Sequence, residues 1–426
     1  MERESAKRGR LDAEYVRDKV RRYIKPFGEN AIRFNAWRTE WGDEGISFHI
    51  YYEPYASLCR ELLTVLKAEG ITAIVSISMF DMPSRYERGG GVQNVVGDST
   101  YERVIRALME TKRQSREEAR LHASGAIMAF APWIPEVYRD LMHAVKTMRA
   151  LCPSGTIAEL FNERPAPWEF NPFVKEEVQK MAEIFPSVRR AFADTDALLP
   201  GSAKNFKEVA KAGYARMYQE FHALWGRQER TIQGFIFLSD YIDPDAWGYS
   251  AHPYPLDTHM KNARMNPDWL VRFKTVEGKL GLVDSIGEIG VTDTIPYWDS
   301  ASAVREWGKS KILTKTGNWV PADKAKLLKE VADAAMDVIQ VSTGKPPKVL
   351  IGWEGHTGGA GLDPRIWDYT KYFTVMQERS GRAVYDMGYR CLSLRPEMRR
   401  AWAEVVKNFW ERGNPSAEVY LPDEAR

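Results

Sequence analysis

The chain has 426 residues, 44% of them apolar and 28% charged, with a formal net charge of +2. This balance is ordinary for a water-soluble folded protein. It excludes the basic excess and clustered stripe expected of a nucleic-acid binder. The length admits one large domain or two to three smaller ones.

Cys59, Cys152 and Cys391 lie far apart with no CxxC spacing, which predicts packing positions rather than a disulfide framework or a zinc site. The first residues, Met1-Glu2-Arg3-Glu4, carry no apolar leader, and no run of about 18 apolar residues occurs. The expectation is a soluble protein with no membrane partner, cytoplasmic or released without a recognisable signal peptide. Aromatics reach 12% and include 14 tryptophans. Their flat apolar faces and polar edges suit sugar rings, although a large core also buries many of them.

Residues 1–28 read as a helical extension, with Leu11, Tyr15, Val16, Val20, Tyr23, Ile24 and Phe27 at helical spacing and Pro26 and Gly28 ending it. Thereafter strands and helices alternate. Asn30–Arg38 reads as a strand, Pro54–Glu69 as a helix, Ile71–Phe80 as a buried strand and Thr100–Arg120 as a charged amphipathic helix. Gly125–Trp133 reads as a short apolar third strand, and Pro135–Leu151 as the next helix. Thr156–Asn162 follows as a fourth strand, and helical periodicity runs from Val174 to Phe192.

The fifth strand has two candidates, Asp196–Gly201 and Thr231–Ser239, on either side of a helix over Phe206–Trp225. Ala246–His252, Leu280–Glu288 and Lys348–Trp353 complete the series. Pro321–Val341 is the helix before the eighth strand, and the last long helix ends near Trp410. Eight strands alternating with helices predict a single-domain (β/α)₈ TIM barrel over residues 29–414, followed by a tail at 415–426. The glycine-rich connection Asp81–Ser99 is expected at the barrel mouth.

Two carboxylates stand out against this frame. Asn162-Glu163-Arg164-Pro165 places a polar pair where the apolar run Ile157-Ala158-Glu159-Leu160-Phe161 ends. Ile286-Gly287-Glu288-Ile289-Gly290 sets a second carboxylate between glycines at the end of another apolar strand, a costly place for a charge without a purpose. Catalytic groups of barrels sit at carboxyl-terminal strand ends. Two carboxyl groups about 5–5.5 Å apart are what hydrolysis of a glycosidic bond with retention requires. Taken alone, Asn-Glu also serves as a helix cap and Gly-Glu-x-Gly as a turn.

Together these segments resemble the acid/base and nucleophile motifs of the clan A glycoside hydrolases, with family 5 (cellulase and mannanase type) the nearest pattern. That clan carries the acid/base at the end of the fourth strand and the nucleophile at the end of the seventh, the positions this strand count gives Glu163 and Glu288. The resemblance implies a retaining enzyme cleaving β-linked sugars, with Glu163 as acid/base and Glu288 as nucleophile. Trp247-Gly248-Tyr249-Ser250-Ala251-His252-Pro253-Tyr254-Pro255 is similar to the sixth-strand motif of family 5. It implies that Tyr254 hydrogen-bonds the nucleophile and that His252 lines the cleavage subsite.

By the same resemblance, Asn162 would bond the sugar 2-hydroxyl and Trp353 would floor the ring before the scissile bond. Trp133, Trp168, Trp298 and Trp353 fall at or just beyond predicted strand ends, and two or more of them are expected to stack on sugars. The chain departs from family 5 in lacking its second-strand arginine and third-strand histidine, and Arg33, Arg38 and Arg85 are the candidates to replace the arginine.

No cofactor and no metal is expected. His252, Asp257, His259 and His356 form no HExxH or early His-x-His pattern. Ser342-Thr343-Gly344-Lys345 lacks the earlier glycine of a phosphate loop, and no G-x-S-x-G elbow occurs. The expected partner is a carbohydrate, with endo action on a β-glucan or mannan preferred over exo action on short glycosides. A glycan-binding barrel without turnover is the alternative from another class. Oligomeric state is not legible.

Overall fold

The architecture is that of a computed structural model, which describes residues 11–35, 55–78, 91–161, 175–199, 201, 204–235, 241–251, 275–276, 279–280, 283–289, 321–352 and 396–413. Helix α1 (Ala13–Tyr23) is followed by a 3₁₀ turn over Lys25–Phe27. Gly28, at φ +73°, closes that turn with its amide on the Lys25 carbonyl, as the Pro26/Gly28 stop signal predicts. The chain divides into two compact units, Met1–Arg17 with Ala31–Gly248 and Asp18–Asn30 with Tyr249–Arg426.

In the first unit four strands pair in parallel and in chain order. They are β1 (Ala31–Asn35), β2 (Thr72–Ser78), β3 (Ile157–Phe161) and β4 (Thr231–Phe235). Helix α2 (Tyr55–Ala68) links β1 to β2. Helices α3 (Gly91–Val96), α4 (Asp98–Lys112), α5 (Arg116–Ala129) and α6 (Pro135–Leu151) lie between β2 and β3. Helices α7 (Lys175–Ile184), α8 (Pro186–Ala191) and α9 (Phe206–Trp225) lie between β3 and β4. Ala73, Val75, Ile77, Ala158 and Leu160 join helix residues such as Leu63, Leu108, Leu141 and Phe221 in one core. Period-two alternation puts Ile74, Ser76, Ile157 and Glu159 on the opposite face. All five residues of β3 are buried, the pattern of a strand covered on both faces.

In the second unit β5 (Gly248–Ala251), β8 (Ser285–Ile289) and β9 (Leu350–Gly352) pair in parallel, and β6 (Thr275–Val276) with β7 (Lys279–Leu280) forms a separate antiparallel pair. Helix α10 (Pro321–Thr343) precedes β9, and α11 (Pro396–Gly413) is the last described helix. Leu328, Ala332, Ala335, Met336 and Ile339 form the inward stripe of α10. They pack with Ala401, Trp402, Val405 and Val406 of α11 and with Ile286 and Ile289 of β8. The Trp402 indole donates to Glu29 Oε1 at 2.6 Å and the Trp410 indole to the Gly28 carbonyl at 3.0 Å.

Among the described residues, seven parallel strands with helices between them make this an α/β protein, where the sequence predicts eight strands. The missing member is the expected third strand. Gly125–Ala129 belongs to helix α5, and Ala131–Trp133 forms a 3₁₀ turn. Ala119, Ala123, Ala126, Ile127, Met128, Ala129 and Phe130 are all buried. A helix that is apolar all round presents the same short apolar run as a buried strand, so periodicity cannot separate the two. Small alanines favour the helix.

Two further expectations change. The helix expected over Thr100–Arg120 is split between α4 and α5 by Arg113 at φ +53°. Asp196–Gly201 is not a strand, Thr195 making only an isolated bridge to Lys204, so Thr231–Phe235 is the strand of this region. Among the described residues no helix is long and apolar enough to cross a membrane.

Candidate functional site

Glu163 follows β3 in sequence and Glu288 lies within β8, and each strand is held by its own polar contacts. β3 is braced across β2: Arg33 Nη2 on β1 donates to Glu159 Oε2 at 2.8 Å, with side chains only 5% and 2% exposed. Ser76 stands opposite Glu159 in the β2–β3 register. It is fully buried, and its hydroxyl has no hydrogen-bond partner among the described residues. Sequence reading names Arg33 as one stand-in for the missing family arginine, and in the fold it pairs with Glu159. The pairing spans 126 positions, a separation over which one sequence carries no pairing signal. Arg38 and Arg85 lie outside the described residues.

β8 is anchored at its start by Asp284. The Asp284 carboxylate accepts from the Tyr249 amide at 2.9 Å, from the Ser285 hydroxyl at 2.9 Å and from Lys348 at 2.8 Å. Further along, Ile286 pairs with Leu350 and Ile289 with Gly352, so β8 slips by one residue against β9 between them. The slip falls at Gly287-Glu288. It explains how two isoleucines three positions apart both reach the α10–α11 core, which strict alternation forbids.

Of the sequence-predicted site residues, Glu288 is described in its main chain, within β8. Asn162 and Glu163 come directly after Phe161, the end of β3, and lie outside the described residues. His252 follows β5 and Trp353 follows β9, and both also lie outside, as do Tyr254, Trp298 and Trp168. Among the described strands, β3 is the third parallel one in chain order and β8 the sixth, where the sequence reading has the fourth and seventh.

Trp133 is described, and it corrects the expectation of a sugar-facing ring at a strand end. Its ring makes edge contacts with Phe130, Phe192 and Tyr214 at centroid distances of 5.9, 5.0 and 5.7 Å. It lies over Gly213 of α9, where an added Cβ would come within 2.5 Å of the indole. Trp133 is thus a core residue for which α9 keeps a glycine.

Sequence reading misses a buried network beside β4. His222 Nε2 of α9 and Asp243 Oδ2 lie 2.7 Å apart. The Asp243 amide donates to Gln233 Oε1, Gln233 Nε2 donates to the Tyr241 carbonyl, and the Asp245 amide donates to Asp243 Oδ1. Ligand atoms of His222, Asp243 and Asp245 fall within 4.8 Å of one another. The hydrogen bonds among these groups tie residues 241–245 to β4 and α9, a structural lock.

The remaining sequence features resolve simply. Ser342 and Thr343 cap the end of α10 through the Ile339 carbonyl, and Gly344 at φ +70° turns the chain, which is a helix terminus rather than a phosphate loop. Cys59 and Cys152 are buried free thiols. Burial, reinforced by neighbouring Cys59, pushes the Cys152 thiol well above its ordinary range, so it stays protonated. Cys391 lies outside the described residues. No protein-family model matches the chain, and no curated protein matches it significantly.

Proposed function

We propose that the protein is a retaining glycoside hydrolase that cleaves β-glycosidic bonds, with Glu163 as acid/base and Glu288 as nucleophile. The observation that carries the reading is a glutamate motif at each of two parallel strands. Asn162-Glu163 follows the end of one buried parallel strand, and Gly287-Glu288 falls where another slips its register. Register slips are common beside active sites, where they re-aim a side chain. Among the described strands, the interval of three between the motifs equals the one in clan A enzymes. In this reading the seven strands belong to a (β/α)₈ barrel.

The chemistry follows from the two roles. Glu288 attacks the anomeric carbon while Glu163, protonated, donates to the leaving oxygen. Glu163 then takes a proton from water as that water breaks the glycosyl ester. His252, Tyr254, Asn162, Trp353 and Trp298 serve the sugar, and no metal or cofactor takes part. The preferred substrate is a β-glucan or mannan cut internally, with short β-glycosides as the second choice.

The test is hydrolysis of aryl β-glycosides, soluble β-glucans and mannans by the wild type and by Glu288→Ala and Glu163→Ala. The expected result is wild-type turnover that Glu288→Ala abolishes and that azide restores as an α-glycosyl azide. Mutants matching an active wild type would refute the residue assignment. An inert wild type that binds one of the glycans would replace the enzyme with a glycan-binding protein.

A further inference from the structure

The polar network beside β4 brings together three side chains that carry ligand atoms for a cation. His222 lies in the inward stripe of α9 and is 4% exposed, Asp243 is 2% exposed, and Asp245 faces solvent. One ligand atom from each falls within 4.8 Å of the other two. His222 Nε2 and Asp243 Oδ2 are 2.7 Å apart, so a single proton bridges them. The Asp245 carboxylate has no hydrogen-bond or ion-pair partner among the described residues. Two carboxylates thus converge on one imidazole where two of the three groups are shielded from water, and a cation there meets weak dielectric screening.

The main chain holds the set in shape. Gln233 of β4 accepts from the Asp243 amide and donates to the Tyr241 carbonyl, and the Asp245 amide donates to Asp243 Oδ1. Asp243 therefore gives one oxygen to the loop and turns the other toward His222. An ion about 2.0–2.2 Å from each ligand sets the ligand atoms about 3–4 Å apart. The His222–Asp243 pair has only to open slightly to meet that spacing, and the exposed Asp245 side chain to close on it.

We infer that His222, Asp243 and Asp245 form a binding site for a divalent cation of the zinc class. The cation takes the place of the bridging proton, which leaves to solvent. One imidazole nitrogen with two carboxylate oxygens suits Zn²⁺ and its first-row neighbours, whereas magnesium and calcium favour oxygen ligands alone. Three protein ligands leave a coordination position for water. Bound there, the ion ties residues 243–245 to α9 and stabilises the folded chain by mass action. The inference is independent of the glycosidase reading.

The experiment titrates the metal-stripped full chain with Zn²⁺ and follows equilibrium dialysis and melting temperature for the wild type, Asp245→Asn and His222→Gln. His222 is buried and its replacement is expected to fold less well, so Asp245→Asn carries the test, with Asp245→Ser as the second variant. Both leave the Asp245 amide in place on Asp243. Zn²⁺ should raise the wild-type melting temperature, and Mg²⁺ at the same concentration should not. The Asp245 variants should melt like the wild type without metal and bind this Zn²⁺ about tenfold or more weakly.

A wild-type melting temperature that Zn²⁺ does not raise would overturn the inference. So would Zn²⁺ uptake that is the same in the wild type and both Asp245 variants, which would mark an adventitious ion only. Neither result touches the glycosidase reading, and a wild type inert on every glycoside would leave the cation site standing.

Discussion

β3 and β8 both run up to a glutamate motif, yet they are fixed in place by different physics. β3 keeps an unbroken register with β2 and takes its brace from charge, the Arg33–Glu159 pair reaching over an intervening strand. β8 gives up its register against β9 at Gly287-Glu288. It takes its hold from packing, with Ile286 and Ile289 both set into the α10–α11 core, and from the Asp284 clamp at its start. One strand is aimed by an electrostatic strut and the other by a shift of one residue in its ladder.

Breaking the strut at one end should have the largest effect. Arg33→Met removes a buried charge partner of Glu159, and chemical denaturation should show a loss of about 3–5 kcal/mol. If the loss stays below about 1 kcal/mol, β3 is held by packing as β8 is, and the contrast collapses. On the other side, Ile286→Ala and Ile289→Ala should each cost about 2–4 kcal/mol and by similar amounts, since both are fully buried. A strand in regular alternation would make one of the two far more tolerant than the other.

Asp284→Ala removes an acceptor shared by three donors and should cost about 1–3 kcal/mol in the same assay. The loss should shrink when Lys348→Met is already present, a non-additivity that a double-mutant cycle measures. Ser76→Ala is the smallest effect and the one of opposite sign. It deletes a buried hydroxyl with no partner among the described residues, so stability should rise by up to about 1 kcal/mol. A marked fall would mean that the hydroxyl has a bridging role.

Much of this frame is legible in the sequence where local signals agree. Pro135 at the start of α6 and Asn205 capping α9 through the Lys207 amide mark helices whose observed bounds match their reading, because Pro at the first turn and Asn at the cap act locally. The helix expected over Val174–Phe192 breaks at Pro186, an equally local signal. Gly125–Trp133 fails for the opposite reason. Nothing inside an apolar run says whether it is buried as a helix or as a strand, and the contacts that decide it lie on α9, some 80 residues later.

The site is legible to a smaller degree. The motif glutamates are found because an acid beside an apolar strand is conspicuous on its own. Trp133 misleads because a tryptophan meant for sugar and one meant for Phe192 and Tyr214 look alike in sequence. Arg33 is noticed, but its partner is not, since pairing at such a distance emerges only from strand order. The His222–Asp243 lock escapes notice because His222 sits in the inward stripe of α9, where it reads as one more core position.

The indoles of α11 bear on how the chain reaches its native state. Trp402 and Trp410 bond Glu29 and Gly28, contacts that join positions 373 and 382 residues apart. The first of these tethers therefore reaches the turn only after a further 373 residues have been synthesised. Loop closure over such a span is slow compared with helix formation. During synthesis this turn is without its two indole bonds while the first unit is already complete in sequence, so α11 reaches it late. Ribosome-bound chains halted before residue 396 should then be cleaved by protease at residues 25–29, and chains extended past residue 413 and clear of the exit tunnel should resist.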